Sequence, residues 1–274
     1  MRRARAIAGW IAGWMRRHWK AEVAGVPIVL LAALTGVILV AASGTSQLRP
    51  PRNDLPAAFR GRATGFDISW PQCGYEYPTA PYSFGIIGVT GGRPYTQNPC
   101  LREEYIWALD AVDTAPSVYM NLDFPTPPPT GQSLTGSPPA CRRDGVALCP
   151  PYTYGYEAAR QAIAYAEARG VTAHVWWLDT ETENAWSDDV NANFQAIRGA
   201  LTALRDHGLT AGVYSTRYQW RQIAGANDPK APMWVAGATG ENPHTSCSPL
   251  FAFGSGKIWL TQFPNGNFDG DYVC

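Results

Sequence analysis

Charge is scarce in this chain. Only 16% of its 274 residues are Asp, Glu, Lys or Arg, and 22 basic residues balance 22 acidic ones. A grip on nucleic acid or another polyanion needs a basic face, and no excess of positive charge exists to build one. Histidine numbers four, and none of His174, His207 or His244 has the spacing of a metal ligand. His207, ahead of Gly208, reads as a helix C-terminal residue, and His174 as a structural residue at a strand start. The tightest cysteine spacing is Cys141 to Cys149, so no CxxC metal cluster is expected. A GxSxG elbow is missing, which removes the usual serine hydrolase. Gly91-Gly92 lacks GxGxxG spacing and reads as a turn, which removes the dinucleotide loop. Neither a metal nor a cofactor is expected.

The charge that is present is unevenly placed. Arg2, Arg3, Arg5, Arg16, Arg17 and Lys20 precede the first acid, Glu22, leaving 16 basic against 22 acidic residues beyond them. From Val23 to Ala42 run 20 residues without charge, which as a helix reach roughly 30 Å, one hydrocarbon core. The basic cluster should stay in the cytoplasm and the rest go outside. Residues 1–20 therefore read as a cytoplasmic basic segment and 21–42 as a transmembrane anchor or a signal sequence, with Ala41-Ala42-Ser43 small enough for cleavage. The expected location is the cell membrane, single-pass with the C-terminal domain outside, or secretion if the segment is cut. All six cysteines follow it, which suits three disulfides in an oxidising compartment. The expected pairs are Cys73–Cys100, Cys141–Cys149 and Cys247–Cys274.

Residues 43–63, rich in Pro, Arg and small polar residues, read as a linker, and 64–274 as one domain. There, eight β-like runs are expected: Gly65–Trp70, Phe84–Thr90, Ser117–Asp123, His174–Glu181, Thr210–Thr216, Met233–Ala238, Ile258–Phe263 and Phe268–Val273. Helices are expected over Leu101–Val112, Tyr156–Arg169 and Asp189–His207. The last carries Val190, Phe194, Ile197, Leu201 and Leu204 on one stripe. Such alternation predicts an α/β fold, a TIM-like β/α barrel with an incomplete helical coat; a doubly wound open sheet is the competitor. Proline-rich Pro125–Pro151 and the segment Thr239–Gly256 read as rim loops able to shape a substrate groove.

The most informative run is His174–Glu181, HVWWLDTE. Alternation puts Trp177, Asp179 and Glu181 on one strand face and Trp176 and Leu178 on the other. Two carboxyls placed together at a barrel rim cannot both ionise freely, so one is kept protonated, as a general acid requires. The flat ring of Trp177 would suit a sugar. Asp67 in the first strand and Asp269 and Asp271 in the last can converge on the same rim, since those strands are neighbours in a closed barrel. Acid chemistry without a metal points to glycoside hydrolysis. Tyr119, Tyr214 and Trp234 fall in strands and could contact sugar, though each alone could equally be core. The DxE pair could likewise be two solvated loop acids.

Taken together, the motifs resemble glycoside hydrolase family 25, the Chalaropsis-type lysozymes: GFDIS, FGIIGVTGG, LDTE, GVYST, MWVAGA, LTQF and FDGD in that order. The resemblance implies an incomplete β/α barrel that cleaves the β-1,4 bond between N-acetylmuramic acid and N-acetylglucosamine in peptidoglycan. It implies Glu181 as general acid, Asp179 as its partner, and Asp67 and Asp269 as the flanking acids, with Asp271 at the family's usual Asn. Gln262 falls in the closing strand motif. Three places depart from the pattern: Thr90 in the second strand, Asn121-Leu122-Asp123 at the end of the third, and Thr261-Gln262-Phe263. Other readings are a non-catalytic barrel that binds or scaffolds envelope glycan, and a metal-dependent phosphodiesterase.

Overall fold

The computed structural model describes residues 62–111, 115–125 and 150–274. The apolar run 23–42, residues 43–61 of the linker and the Cys141/Cys149 pair lie outside them. Among the described residues, no helix is long and apolar enough to cross a membrane. Eight strands close into a barrel in sequence order: β1 (Thr64–Ile68), β2 (Gly85–Gly88), β3 (Ser117–Asn121), β4 (Val175–Asp179), β5 (Thr210–Ser215), β6 (Met233–Val235), β7 (Ile258–Asn265) and β8 (Phe268–Val273). Neighbours from β1 to β7 pair in parallel, whereas β8 runs antiparallel to both β7 and β1. The ends of β1–β7 and the beginning of β8 therefore share one rim.

Side-chain alternation divides the core in two. Ile68, Ile87, Val118, Met120, Trp176, Leu178, Val213, Met233 and Val235 face outward and pack under the helices. Phe84, Ile86, Val175, Trp177, Tyr214, Trp234, Leu260 and Val273 fill the barrel. Space inside is tight enough to dictate glycine: a Cβ on Gly212 would fall 2.3 Å from the Trp177 ring, and one on Gly65 2.4 Å from the Phe84 carbonyl oxygen.

Among the described residues, four α-helices follow β2, β3, β4 and β5 in turn: α1 (Leu101–Leu109), α2 (Pro151–Ala168), α3 (Val190–Asp206) and α4 (Arg217–Ala224). α2 starts five residues earlier than its alanine pattern suggests, because Pro150-Pro151 suits a first turn, where no N–H is needed. α3 is capped by Asp189, whose Oδ1 accepts from the N–H groups of Asn191 and Ala192 at 2.9 and 3.2 Å. It stops at Gly208, in the left-handed region at φ 74°. α4 escapes the sequence pattern because its exposed face is so polar; only Trp220, Ile223 and Ala224 are buried. Its start is a capping box, Thr216 with Gln219. α2 and α3 touch backbone to backbone through Gly155 and Gly199.

Among the described residues no α-helix follows β6, and the coat is incomplete as expected. Thr239–Gly256 starts beside the end of β7, where a Cβ on Gly240 would fall 3.4 Å from the Pro264 carbonyl oxygen. Its 3-10 turn Pro243–Cys247 packs against β7 and β8 in place of a helix, with the Thr261 hydroxyl donating to the Pro243 carbonyl at 2.9 Å. Cys247–Cys274 fastens this segment, and Cys73–Cys100 ties the β1–β2 connection to the start of α1. Two of the three expected disulfides are thus present.

Candidate active site

Asp179 is the last residue of β4, and Glu181 lies past the strand end, two residues short of the span expected from sequence. The chain there is nevertheless held. Thr180 N–H donates to the Tyr214 carbonyl at 3.0 Å, and the Ser215 hydroxyl donates to the Thr180 carbonyl at 2.7 Å. The Trp186 indole N–H donates to the Glu181 carbonyl at 2.7 Å. Glu181 is carried on a pinned turn, half-buried, while Asp179 is buried.

Opposite them, the β1/β8 register sets Asp67 against Asp269. Gln262 Nε2 donates to Asp67 Oδ2 at 2.9 Å and Tyr214 OH donates to Gln262 Oε1 at 2.7 Å, a chain linking β5, β7 and β1. These residues surround a pocket of about 260 Å³, lined by Asp67, Tyr119, Asp179, Glu181, Tyr214, Trp234, Gln262 and Asp269. Of the acids, aromatic residues and Gln262 proposed for the site from the sequence, Trp177 and Asp271 are not among them.

Trp177 corrects an expectation. Its ring is fully buried, packed edge-on to Trp234 and Trp259 at 5.9 and 6.2 Å. Lying two residues before Asp179 on a parallel strand, it sits a layer beneath the pocket and forms part of its floor support. It offers no face to a sugar. Asp271, passed over in favour of Asp269, is likewise beneath the pocket. It is fully buried and accepts from the Trp234 indole N–H at 2.8 Å. Asp269 does line the pocket.

Among the described residues, no Lys, Arg or His lines the pocket to neutralise this group of acids. Burial first, then the neighbouring Asp269, raises Asp67 to about 8. Burial, then Glu181, raises Asp179 well above the carboxylate range, and burial followed by Glu183 raises Glu181. Asp271 is raised strongly by burial and then Asp67, and Asp269 by burial. Like charges cannot all form here, so protons stay bound. Among the described residues, no three acid, His or Cys side chains stand close enough to hold a metal ion.

The raised acids set a sign for stability. A carboxyl whose folded value exceeds its unfolded value of roughly 4 holds a proton in the folded state that the unfolded chain releases. Stability contributed by Asp67 is full below roughly pH 4 and is lost as pH rises toward 8. Asp67→Asn should therefore melt at the wild-type temperature at pH 4 but above it at pH 8. Thermal unfolding followed by circular dichroism at both pH values checks this; a variant that melts lower at pH 8 contradicts it.

Two polar residues that sequence reasoning did not select complete the site. Asn121, at the end of β3 and in register with Asp179, donates its Nδ2–H to Asp179 Oδ2. Thr90 Oγ1 donates to Asn121 Oδ1 at 2.7 Å. The only sequence signal was that both positions depart from the pattern the other motifs follow.

Comparison with known proteins finds lysozyme-like relatives. A family model described as Lysozyme-like protein 1 matches residues 147–254. Lysozyme-like protein 7 of Caenorhabditis elegans is 30% identical over 97 residues, 32% of this chain and 34% of that protein. A probable GH family 25 lysozyme 4 of Dictyostelium discoideum is 32% identical over 100 residues, 36% and 44% of the respective chains. The chain thus spans less than half the length of the curated relatives it matches. A glycosyl hydrolase 25 of Streptococcus pneumoniae superposes with a TM-score of 0.51 over 79% of this chain and 88% of that one, at 12% identity, a likeness of fold. The chain resembles family 25 lysozymes as a divergent relative.

Proposed function

We propose that the barrel is a lysozyme-like glycoside hydrolase that cleaves the β-1,4 bond between N-acetylmuramic acid and N-acetylglucosamine in peptidoglycan. One observation carries this: two adjacent carboxyls, Asp179 and Glu181, share a pocket with Asp67 and Asp269 between aromatic walls, with no Lys, Arg or His among the described residues that line it. Glu181, the more open of the pair, delivers a proton to the glycosidic oxygen as the bond to the departing sugar breaks. As it does so, the proton held by Asp179 passes to Glu181, and the Asp179 carboxylate so formed faces the positive charge that develops on the ring, where water then adds and returns a proton to the pair. Tyr119, Tyr214 and Trp234 offer ring edges and hydroxyls to the sugar, and Gln262 keeps Asp67 oriented across from it. The similarity to lysozyme-like proteins supports the substrate class.

The same reading has the apolar run 23–42 hold the chain in the membrane with the barrel outside. The basic residues before it and the two disulfides after it support that placement. One experiment addresses both halves. Membranes from cells expressing the full chain are incubated with insoluble peptidoglycan, and the soluble products are analysed by mass spectrometry. Fragments with reducing N-acetylmuramic acid ends, released by the membrane pellet, are expected. Glycan bound without any release would overturn hydrolysis in favour of a binding barrel. Activity confined to the soluble fraction would overturn the anchor.

A further inference from the structure

We propose that Asn121 is a positioning residue for Asp179, and that Thr90 is the latch that fixes which way the Asn121 amide faces. The inference rests on the hydrolase reading for its catalytic consequence, but its geometry stands apart from it.

β3 and β4 run parallel with Asn121 opposite Asp179, so two inward-facing side chains meet at the same depth. The amide of Asn121 has two orientations and only one of them suits its neighbours. The Asn121 backbone N–H donates to Thr90 Oγ1 at 2.9 Å. With that lone pair occupied, the Thr90 hydroxyl hydrogen turns to Asn121 Oδ1, 2.7 Å away. The amide NH2 is thereby turned to Asp179 Oδ2. Reversed, the amide would set its oxygen against a carboxylate. Three strands' worth of backbone thus determine one donor: the β2 extension through Thr90, β3 through Asn121, and β4 through Asp179.

Asp179 is faced by Glu181 beyond its own strand, and shares the pocket with Tyr214 on β5, Tyr119 on β3, Asp67 on β1 and Asp269 on β8. Every charge in that set is negative or potentially so, and burial adds to their effect on Asp179. The Asn121 N–H is the larger influence in the opposite direction, favouring the carboxylate, with Asn184 adding to it. Tyr214 and Gln219 act the same way on Glu181. Asn121 therefore keeps Asp179 from holding the pair's proton too tightly, and keeps that proton deliverable through Glu181. Among the described residues, Asp179 Oδ1 meets no hydrogen-bond donor; it is the oxygen left to carry the proton when Asp179 is neutral. Asn121 does not line the pocket, so it acts on substrate only through Asp179.

The test uses full-length protein labelled with carbon-13 at aspartate side-chain carboxyls, with the Asp179 signal identified by its loss in Asp179→Asn. Removing a hydrogen bond to a charged group should raise the Asp179 titration midpoint by about one pH unit in Asn121→Ala. A smaller rise is expected in Thr90→Val, where the amide is free to turn, and a return to the wild-type midpoint in Thr90→Ser. On peptidoglycan, kcat should fall about tenfold in Asn121→Ala, with KM little changed and the alkaline limb of the pH profile moved upward. Wild-type midpoints in both Asn121→Ala and Thr90→Val would overturn the proposal, as would Thr90→Ser behaving like Thr90→Val. If Asn121→Ala does not fold, the two Thr90 variants decide alone. A shifted midpoint in a protein that cleaves no glycan removes the hydrolase reading and leaves the amide clamp standing.

Discussion

Glu181→Gln should lower turnover of peptidoglycan by about a thousandfold, within the range that positioned proton donors contribute, while the protein still binds the glycan. Glutamine keeps the shape and the polar contacts of the side chain but has no proton to give. The same substitution should leave the melting temperature unchanged or slightly higher at neutral pH. Glu181 is raised by burial and Glu183, so its charge works against the fold there and a neutral amide relieves it. A glycoside with a good leaving group, such as a nitrophenyl aglycone, needs little protonation and should lose much less. Turnover of both substrates measured side by side checks the assignment. If natural glycan is cleaved by Glu181→Gln within tenfold of wild type, Glu181 is not the proton donor.

The second large effect concerns stability. Gly155→Ala would ordinarily favour a helix by about 1 kcal/mol. Here the added Cβ falls 1.8 Å from the Ala196 carbonyl oxygen, on the neighbouring helix. Backbone cannot give way as a side chain can, so α2 and α3 must separate, opening the seam built from Ala158, Ala159, Ala162 and Ala200. The steric penalty of overpacking, about 1–3 kcal/mol and sometimes more, adds to the lost contacts along that seam and exceeds the propensity gain. A net loss of about 2–4 kcal/mol is expected, or roughly 4–16 °C in Tm for a domain of this size. Thermal denaturation of Gly155→Ala beside a half-buried helix control, Thr202→Ala, measures it. An equal or higher Tm than wild type would show that the helices have room to spare.

Much of this architecture was legible before any coordinates. The period-two pattern of VWWLD correctly sent Trp177 and Asp179 inward and Trp176 and Leu178 outward. The acid-bearing strands, the barrel and two of the disulfides followed from motif order and composition. Depth was harder. Alternation says which face a residue takes but not how far down the barrel it lies, so Trp177 was read as a sugar platform when it is beneath the pocket. The same gap hid Asp271. Because β8 runs backwards, later residues in it lie deeper, and only the turn at Asn265–Phe268 signals that reversal. Asn121 and Thr90 were missed for a different reason. Neither titrates, and their role exists only once the register places Asn121 beside Asp179. α4 was missed because a short helix with three buried positions leaves little periodicity to detect.

The hairpin of β7 and β8 has one more implication. Asn265 pairs with Phe268, leaving a two-residue turn in which Gly266 takes φ 68°. From that turn the ladder runs unbroken past Pro264↔Asp269 and Gln262↔Asp271, so the acids and Gln262 are indexed like teeth on a rack. Shifting the rack by one tooth would rotate Asp269 and Asp271 together out of the barrel. Lengthening the tip beyond Asn265 and Phe268 would shift nothing below it. The hairpin tip is thus a place where the rim can be rebuilt, by selection or by design, without disturbing the acids beneath it.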